Sequence, residues 1–125
     1  MIDHVSLHVT DIEASKAFFS KALKSLDYSL KMDLPEYKAA GFASGGHADF
    51  WLNGNGTSQT SHVAFTASDK EVVDAFYKNG IEAGGKDNGK PGYRTEYSPG
   101  YYAAFILDPD GQNIEVVFHD PSIGS

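Results

Sequence analysis

His4-Val5-Ser6-Leu7-His8-Val9-Thr10-Asp11-Ile12-Glu13 runs on to Ala17-Phe18-Phe19, and 58 residues later the chain repeats the pattern as His62-Val63-Ala64-Phe65-Thr66-Ala67-Ser68-Asp69-Lys70-Glu71, running on to Ala75-Phe76-Tyr77. His4 meets His62, Val5 meets Val63, Asp11 meets Asp69, Glu13 meets Glu71, and Ala17-Phe18 meets Ala75-Phe76. A repeat of this kind fixes the architecture before any single element does. Two copies are too few for a solenoid. They suit one domain with a pseudo-twofold axis, each half beginning at a histidine.

Within the first copy, Val5, Leu7 and Val9 alternate with His4, Ser6 and His8. That alternation predicts a strand with one apolar and one polar face. Thr10 to Glu13 reads as a capping box opening a helix, on which Phe18, Phe19, Ala22, Leu23 and Leu26 fall at helical spacing. Ser68 to Glu71 is the matching box of the second copy. Tyr28 to Met32, Tyr37 to Ala43 and Asp49 to Leu52 read as three further strands, with Pro35 and Gly45-Gly46 between them. In the second half the strands are Ser61 to Ala67, Tyr101 to Leu107 and Asn113 to His119, with a helix from about Asp69 to Gly80. The Gly/Pro-rich segment from Gly84 to Gly100 reads as a long loop, or as one concealing a short strand near Tyr93 to Tyr97. Asp108-Pro109-Asp110-Gly111 is a hairpin turn. Each half is therefore β-α-β-β-β. The expected fold class is α+β: two such modules in tandem forming a curved mixed sheet around a cleft, helices on the outer face. Module one spans 1–54, a polar linker 55–60 and module two 61–120, all in a single domain of 125 residues, with a fraying tail after Asp120.

Composition narrows the function classes. Seventeen acidic residues against ten basic ones give a net charge of -7, which speaks against a nucleic-acid surface. There is no cysteine, so a thiolate metal site and a thiol nucleophile are excluded. No apolar run approaches the ~20 residues that span a bilayer, and no signal peptide is visible, so the expectation is a cytoplasmic protein without a membrane partner.

His4, Asp49, His62 and Glu115 share the strand phase that faces away from the helices, and a one-residue slip would send each into the core. The repeat pairs His4 with His62 and Asp49 with Glu115, and a twofold arrangement would bring both pairs toward the axis. Two imidazoles with one or two carboxylates make an N/O donor set suited to Zn, Ni, Mn or Fe(II), with positions left open. His8 and His119 lie on the same phase, at the rim. Trp51 is expected to wall the cleft and Arg94 to neutralise a substrate anion. Tyr101 and Tyr102 have opposite phases; Tyr102 is taken as the substrate-binding one.

These spacings resemble the vicinal oxygen chelate superfamily, which includes glyoxalase I, fosfomycin-resistance proteins, extradiol dioxygenases and bleomycin-resistance proteins. The carriers are His4-Val5 with Val9-Thr10-Asp11, Ser61 to Phe65, and Asp108-Pro109-Asp110-Gly111 leading to Asn113-Ile114-Glu115. The resemblance implies paired modules, an open divalent-metal site on His4, His62 and Glu115, a small-molecule substrate and a homodimer. The fourth ligand position falls near Asp49, where glyoxalase I carries a longer Glu. The function implied is a glyoxalase-like lyase or isomerase acting on a substrate with neighbouring oxygens, with Glu115 as the catalytic carboxylate. The alternatives are a metal-free sequestration protein of the bleomycin-resistance type and a small dioxygenase.

Overall fold

The computed structural model describes residues 2–56 and 61–123. Positions 57 to 60 of the expected linker, and the last two of the expected tail, lie outside the described residues. The first module runs β1 (Val5–His8), α1 (Ile12–Ala22), β2 (Ser29–Leu34), β3 (Ala39–Ala43) and β4 (Phe50–Asn53). The second runs β5 (His62–Thr66), α2 (Lys70–Glu82), β6 (Lys86–Tyr93), β7 (Tyr101–Leu107) and β8 (Asn113–His119). Each module makes its own four-stranded sheet, ordered β1-β4-β3-β2 and β5-β8-β7-β6. β1 lies parallel to β4 and β5 parallel to β8, while the remaining neighbours are antiparallel. The strand-then-helix start of each module forces this mixed pattern, because a parallel return needs a crossover.

The helix starts sit one residue later than the capping boxes predict. Asp11 is the N-cap of α1, its carboxylate accepting from the Ala14 N–H at 3.1 Å, and Asp69 caps α2 through the Val72 N–H at 2.9 Å. This frees Thr10 for another task. Its hydroxyl donates to Asp110 Oδ1 at 2.6 Å and its N–H faces the same carboxylate at 3.3 Å, tying the first module to the turn before β8. Gln112 adds a second tie, donating from Nε2 to the His8 carbonyl at 3.0 Å. The Asp-Pro-Asp-Gly turn is thus a clasp between the halves. Gly111 sits at φ +80°, where a side chain would be strained.

Asp108 holds the clasp in shape: its Oδ1 accepts from the N–H groups of Asp110 at 3.0 Å and Gln112 at 2.7 Å. The residue is 4 % exposed and its Oδ2 has no partner among the described residues. Burial, the largest cause, raises its pKa above 3.8 against the pull of those N–H bonds. A group whose folded pKa is raised adds stability below its unfolded value and loses it as pH climbs through the folded one. Asp108→Asn keeps the Oδ1 acceptor and removes the charge. It is expected to be on the order of 1 kcal/mol more stable than wild type at neutral pH, with the advantage vanishing near pH 3.8, in urea unfolding across the acid range.

The long Gly/Pro segment contains the one strand that the sequence misplaces. β6 occupies Lys86–Tyr93 rather than Tyr93 to Tyr97, and residues 94–100 form the turn into β7. It is an edge strand, so Pro91 forfeits no ladder hydrogen bond on the open side. Its register shifts between Asp87 and Gly89 and again between Gly89 and Gly92, which breaks the alternation that would have betrayed it. The first helix also stops earlier than expected, at Ala22, and a separate 3-10 turn covers Lys24–Leu26.

Both helices pack on one side of the sheets and against each other, and a single buried cluster crosses the module boundary. Phe50 of β4 meets Phe19 of α1 at 5.0 Å, Phe42 of β3 at 6.1 Å and Phe65 of β5 at 5.2 Å between ring centroids. Tyr28 reaches Phe65 from the first module at 5.4 Å. The sheet faces away from the helices carry the polar phase. No helix among the described residues is long and apolar enough to cross a membrane.

Candidate functional site

The parallel pairing of β5 with β8 places Ala64 opposite Glu115 and His62 opposite Asn113, so His62 and Glu115 share a face one row apart. His62 Nε2 lies 2.9 Å from Glu115 Oε1, and His62 Nδ1 lies 3.2 Å from the Asn113 carbonyl. A carbonyl only accepts, so Nδ1 is the protonated nitrogen. The Nε2 lone pair of a neutral imidazole would then point at a carboxylate. A cation could share that pair of donors. Glu115 is 2 % exposed, whereas His62 opens to solvent. The other Glu115 oxygen, Oε2, accepts from the Tyr101 hydroxyl. Phe105, directly opposite Glu115 on β7, stacks with the His62 ring at 6.4 Å.

Tyr101 is the residue that sequence reasoning passed over. The strand phase settles the choice: Tyr101 faces Glu115, whereas Tyr102 faces α2 and donates to Asp74 Oδ1 at 2.6 Å. Tyr102 packs among Tyr93 and the Lys70 ammonium, away from Glu115. The signal was in the pairing, since Tyr101, Ala103 and Phe105 must share a face with Glu115 once β7 is antiparallel to β8. Burial, and next the hydrogen bond to Glu115, push the Tyr101 phenol up to about 12, so it stays a donor at neutral pH.

Arg94 lies beside this group. Its guanidinium carbon sits 5.4 Å from the Phe105 ring centroid, and its two terminal nitrogens donate to the carbonyls of Gly92 at 2.8 Å and Lys90 at 2.6 Å. It is the only arginine of the chain and makes no ion pair among the described residues. Gly89 and Gly92 let the β6 backbone close around it, since a Cβ at either would stand 3.1 or 3.2 Å from the guanidinium nitrogens. His119 stands edge-on to Tyr101 at 5.3 Å.

His4 and Asp49 stand on the other sheet. Val5 N–H donates to the Asp49 carbonyl at 2.9 Å, which sets His4 and Asp49 side by side at the start of the parallel β1–β4 pair. His4 Nδ1 lies 2.8 Å from Asp3 Oδ2, and His47 Nε2 lies 3.2 Å from the other Asp3 oxygen. The His4 hydrogen bond is the largest cause holding the Asp3 pKa below 3.8. Asp49 Oδ1 accepts from Tyr28 OH at 2.8 Å, and Tyr28, pushed up mainly by burial, reaches about 12. Trp51 lies over Gly41 and walls a cavity of about 220 Å³ together with His4 and Ser6. So the structure joins His62 to Glu115 and sets His4 beside Asp49, but it does not merge the pairs. Among the described residues of one chain, no group of three or more His, Cys, Asp or Glu side chains is arranged to hold a metal ion. The expected convergence of both pairs on one axis fails within the chain because each pair belongs to its own sheet, and the halves pack through helices and phenylalanines instead.

Two tandem βαβββ modules, each with a histidine at the head of its first strand, define a paired-module fold, but the expected pairing of Asp49 with Glu115 does not hold. Asp49 stands level with His4 as Asn113 stands opposite His62, and the register counterpart of Glu115, which is opposite Ala64, is Trp51, opposite Ser6. The chain belongs to the Glyoxalase/Bleomycin resistance protein/Dioxygenase superfamily, whose family model matches residues 1–116. Among solved structures, a glyoxalase/bleomycin resistance protein from Albidiferax ferrireducens T118 is 25% identical, with a TM-score of 0.79 over 94% of this chain and 98% of that one. An E144Q mutant of glyoxalase I from Zea mays is 26% identical with a TM-score of 0.67; the match covers 93% of this chain and 46% of the plant chain. Lactoylglutathione lyase from Agrobacterium tumefaciens, 22% identical with a TM-score of 0.68 over 94% of this chain and 92% of that one, shares the fold. No curated protein matches the sequence.

Proposed function

We propose that this protein is a divalent-metal-dependent, glyoxalase-like enzyme of the lyase or isomerase type, acting on a small substrate with two neighbouring oxygens. The observation that carries the reading is the orientation of His62. Its Nδ1 is spent on the Asn113 carbonyl and its Nε2 is turned toward Glu115. A backbone carbonyl on one ring nitrogen is the usual way a metal-binding imidazole is fixed in tautomer and direction. The donor set fits Zn, Ni, Mn or Fe(II), with His62 and Glu115 holding one side of the ion and His4, with Asp49, the other. Because these pairs lie on different sheets of one chain, the proposed active form is a homodimer in which the first sheet of one copy faces the second sheet of the other.

When bound, the metal would polarise the two substrate oxygens. The rest falls to the chain itself. Glu115 is the carboxylate proposed to carry the proton moved between substrate carbons, through Oε1 when that oxygen is not engaged as a ligand, since Oε2 is engaged by Tyr101. Arg94 would bind an anionic substituent, and Phe105 gives the substrate an apolar floor between Arg94 and His62. Trp51 would close the opposite wall from the facing sheet. The test is elemental analysis after loading with each metal. One ion per site supports the reading, and no uptake of any of the four ions overturns it.

A second reading is favoured by one feature. A cavity of about 470 Å³, within the range of small-ligand pockets, is lined by Trp51, Met32, His47 and Asp3. An aromatic wall with a carboxylate suits a cationic aromatic ligand held without chemistry. Trp51 is the only tryptophan, so saturable quenching of its fluorescence, in a protein indifferent to metal, would favour sequestration.

A further inference from the structure

We infer that Tyr101 is a positioning residue whose hydroxyl locks one oxygen of Glu115 so that the other stays directed at His62. The inference rests on the reading of His62 and Glu115 as metal ligands, and extends it to a side chain that touches neither metal nor substrate. A carboxylate has two equivalent oxygens and turns readily about its last bond. Without a fixed partner, Glu115 could present either oxygen, or both, to a cation. Here the two are told apart. Oε1 faces His62 Nε2 at 2.9 Å, and Oε2 accepts from Tyr101. The donor is a neutral phenol, so it fixes the carboxylate without cancelling the charge that a cation would need. An ammonium or guanidinium in its place would compete with the metal.

The fold is arranged to let the phenol reach. Tyr101 pairs with His119 and Phe105 pairs with Glu115, so the row Ala103–Val117 lies between donor and acceptor. The small Ala103 side chain leaves the path over that row open. The phenol ring is steadied on two sides, edge-on against Tyr97 at 5.1 Å and against His119 at 5.3 Å. The other half reaches the same end by a different route. Tyr28, which precedes β2 and has no positional counterpart in Tyr101, donates to Asp49 Oδ1 at 2.8 Å. Each carboxylate of the proposed donor set therefore has one oxygen committed to a tyrosine and one left over. The expected consequence is a Glu115 that binds a metal through one oxygen only.

The test compares wild type, Tyr101→Phe and Ala103→Val by proton NMR without metal and by Co(II) titration followed in the visible spectrum. Tyr101→Phe keeps the ring between Tyr97 and His119, and Ala103→Val keeps both hydrogen-bonding partners while obstructing the reach. The wild type should show a downfield hydroxyl proton that both variants lack. Both should bind Co(II) about 10- to 100-fold more weakly, the usual cost of losing an outer partner, with an altered ligand-field spectrum. A variant that matches the wild type in affinity and spectrum overturns the positioning role. If the wild type takes up no Co(II) while still showing the hydroxyl proton, the metal reading itself fails, and the positioning role falls with it.

Discussion

Phe50→Ala is expected to cost about 3–5 kcal/mol of stability and to unfold both modules together. Phe50 is 1 % exposed and packs edge-to-face or tilted on Phe19, Phe42 and Phe65, the last in the other module. Truncation leaves a cavity that rigid strands on either side cannot close. Against a total stability of about 5–15 kcal/mol for an ordinary domain, the loss brings the chain near its unfolding threshold. The clasp of Thr10 with Asp110 and of Gln112 with the His8 carbonyl would not make up the difference, since hydrogen bonds contribute about 1 kcal/mol each. Urea unfolding followed by Trp51 fluorescence, which reports the first sheet, and by circular dichroism, which reports both helices, should give coincident transitions in wild type and variant. Tyr37→Ala, at a residue 66 % exposed, should stay within about 0.5 kcal/mol of wild type. A Phe50→Ala midpoint unchanged from wild type, or separate transitions for the two probes, would show that the halves do not depend on the shared cluster.

The repeat was legible because side-chain period and helix caps are local. Val5, Leu7, Phe65 and Phe76 declare their faces from sequence alone, and so do the carboxylates of Asp49 and Glu115. What escaped depends on pairing. β6 hides because its glycines and Pro91 sit at register shifts on an edge, where neither alternation nor strand propensity is required. Tyr101 and Tyr102 cannot be told apart until β7 is set against β8. Thr10 looks like a cap because its position suits one, yet Asp110, 100 residues away, claims its hydroxyl. The division of the four donors between two sheets has the same origin. Symmetry in the sequence says that His4 and His62 are equivalent, but equivalence places them at corresponding points of separate sheets and not at one point. Whether they meet depends on what faces what, and that is a property of the assembly.

Metal uptake by single-ligand variants then carries the functional question. His62→Ala and Glu115→Ala are each expected to weaken binding by more than the ~10–100-fold that loss of an outer partner costs, because each removes one of at most four donors. Glu115→Ala also strips the acceptor from Tyr101 and the partner from His62 Nε2. Mixing tests where the donors meet. Let His4→Ala and His62→Ala, each unable to bind alone, be combined under conditions where dimers exchange subunits. If the first sheet of one copy faces the second sheet of the other, a mixed dimer has one site with both substitutions and one site with neither. Random exchange then restores about a quarter of the metal sites. If all four donors came from one chain, every site in the mixture would carry a substitution and nothing would return. Elemental analysis before and after exchange reads the difference directly. Recovery supports a site shared between copies, while full occupancy in either single variant would remove that histidine from the donor set altogether.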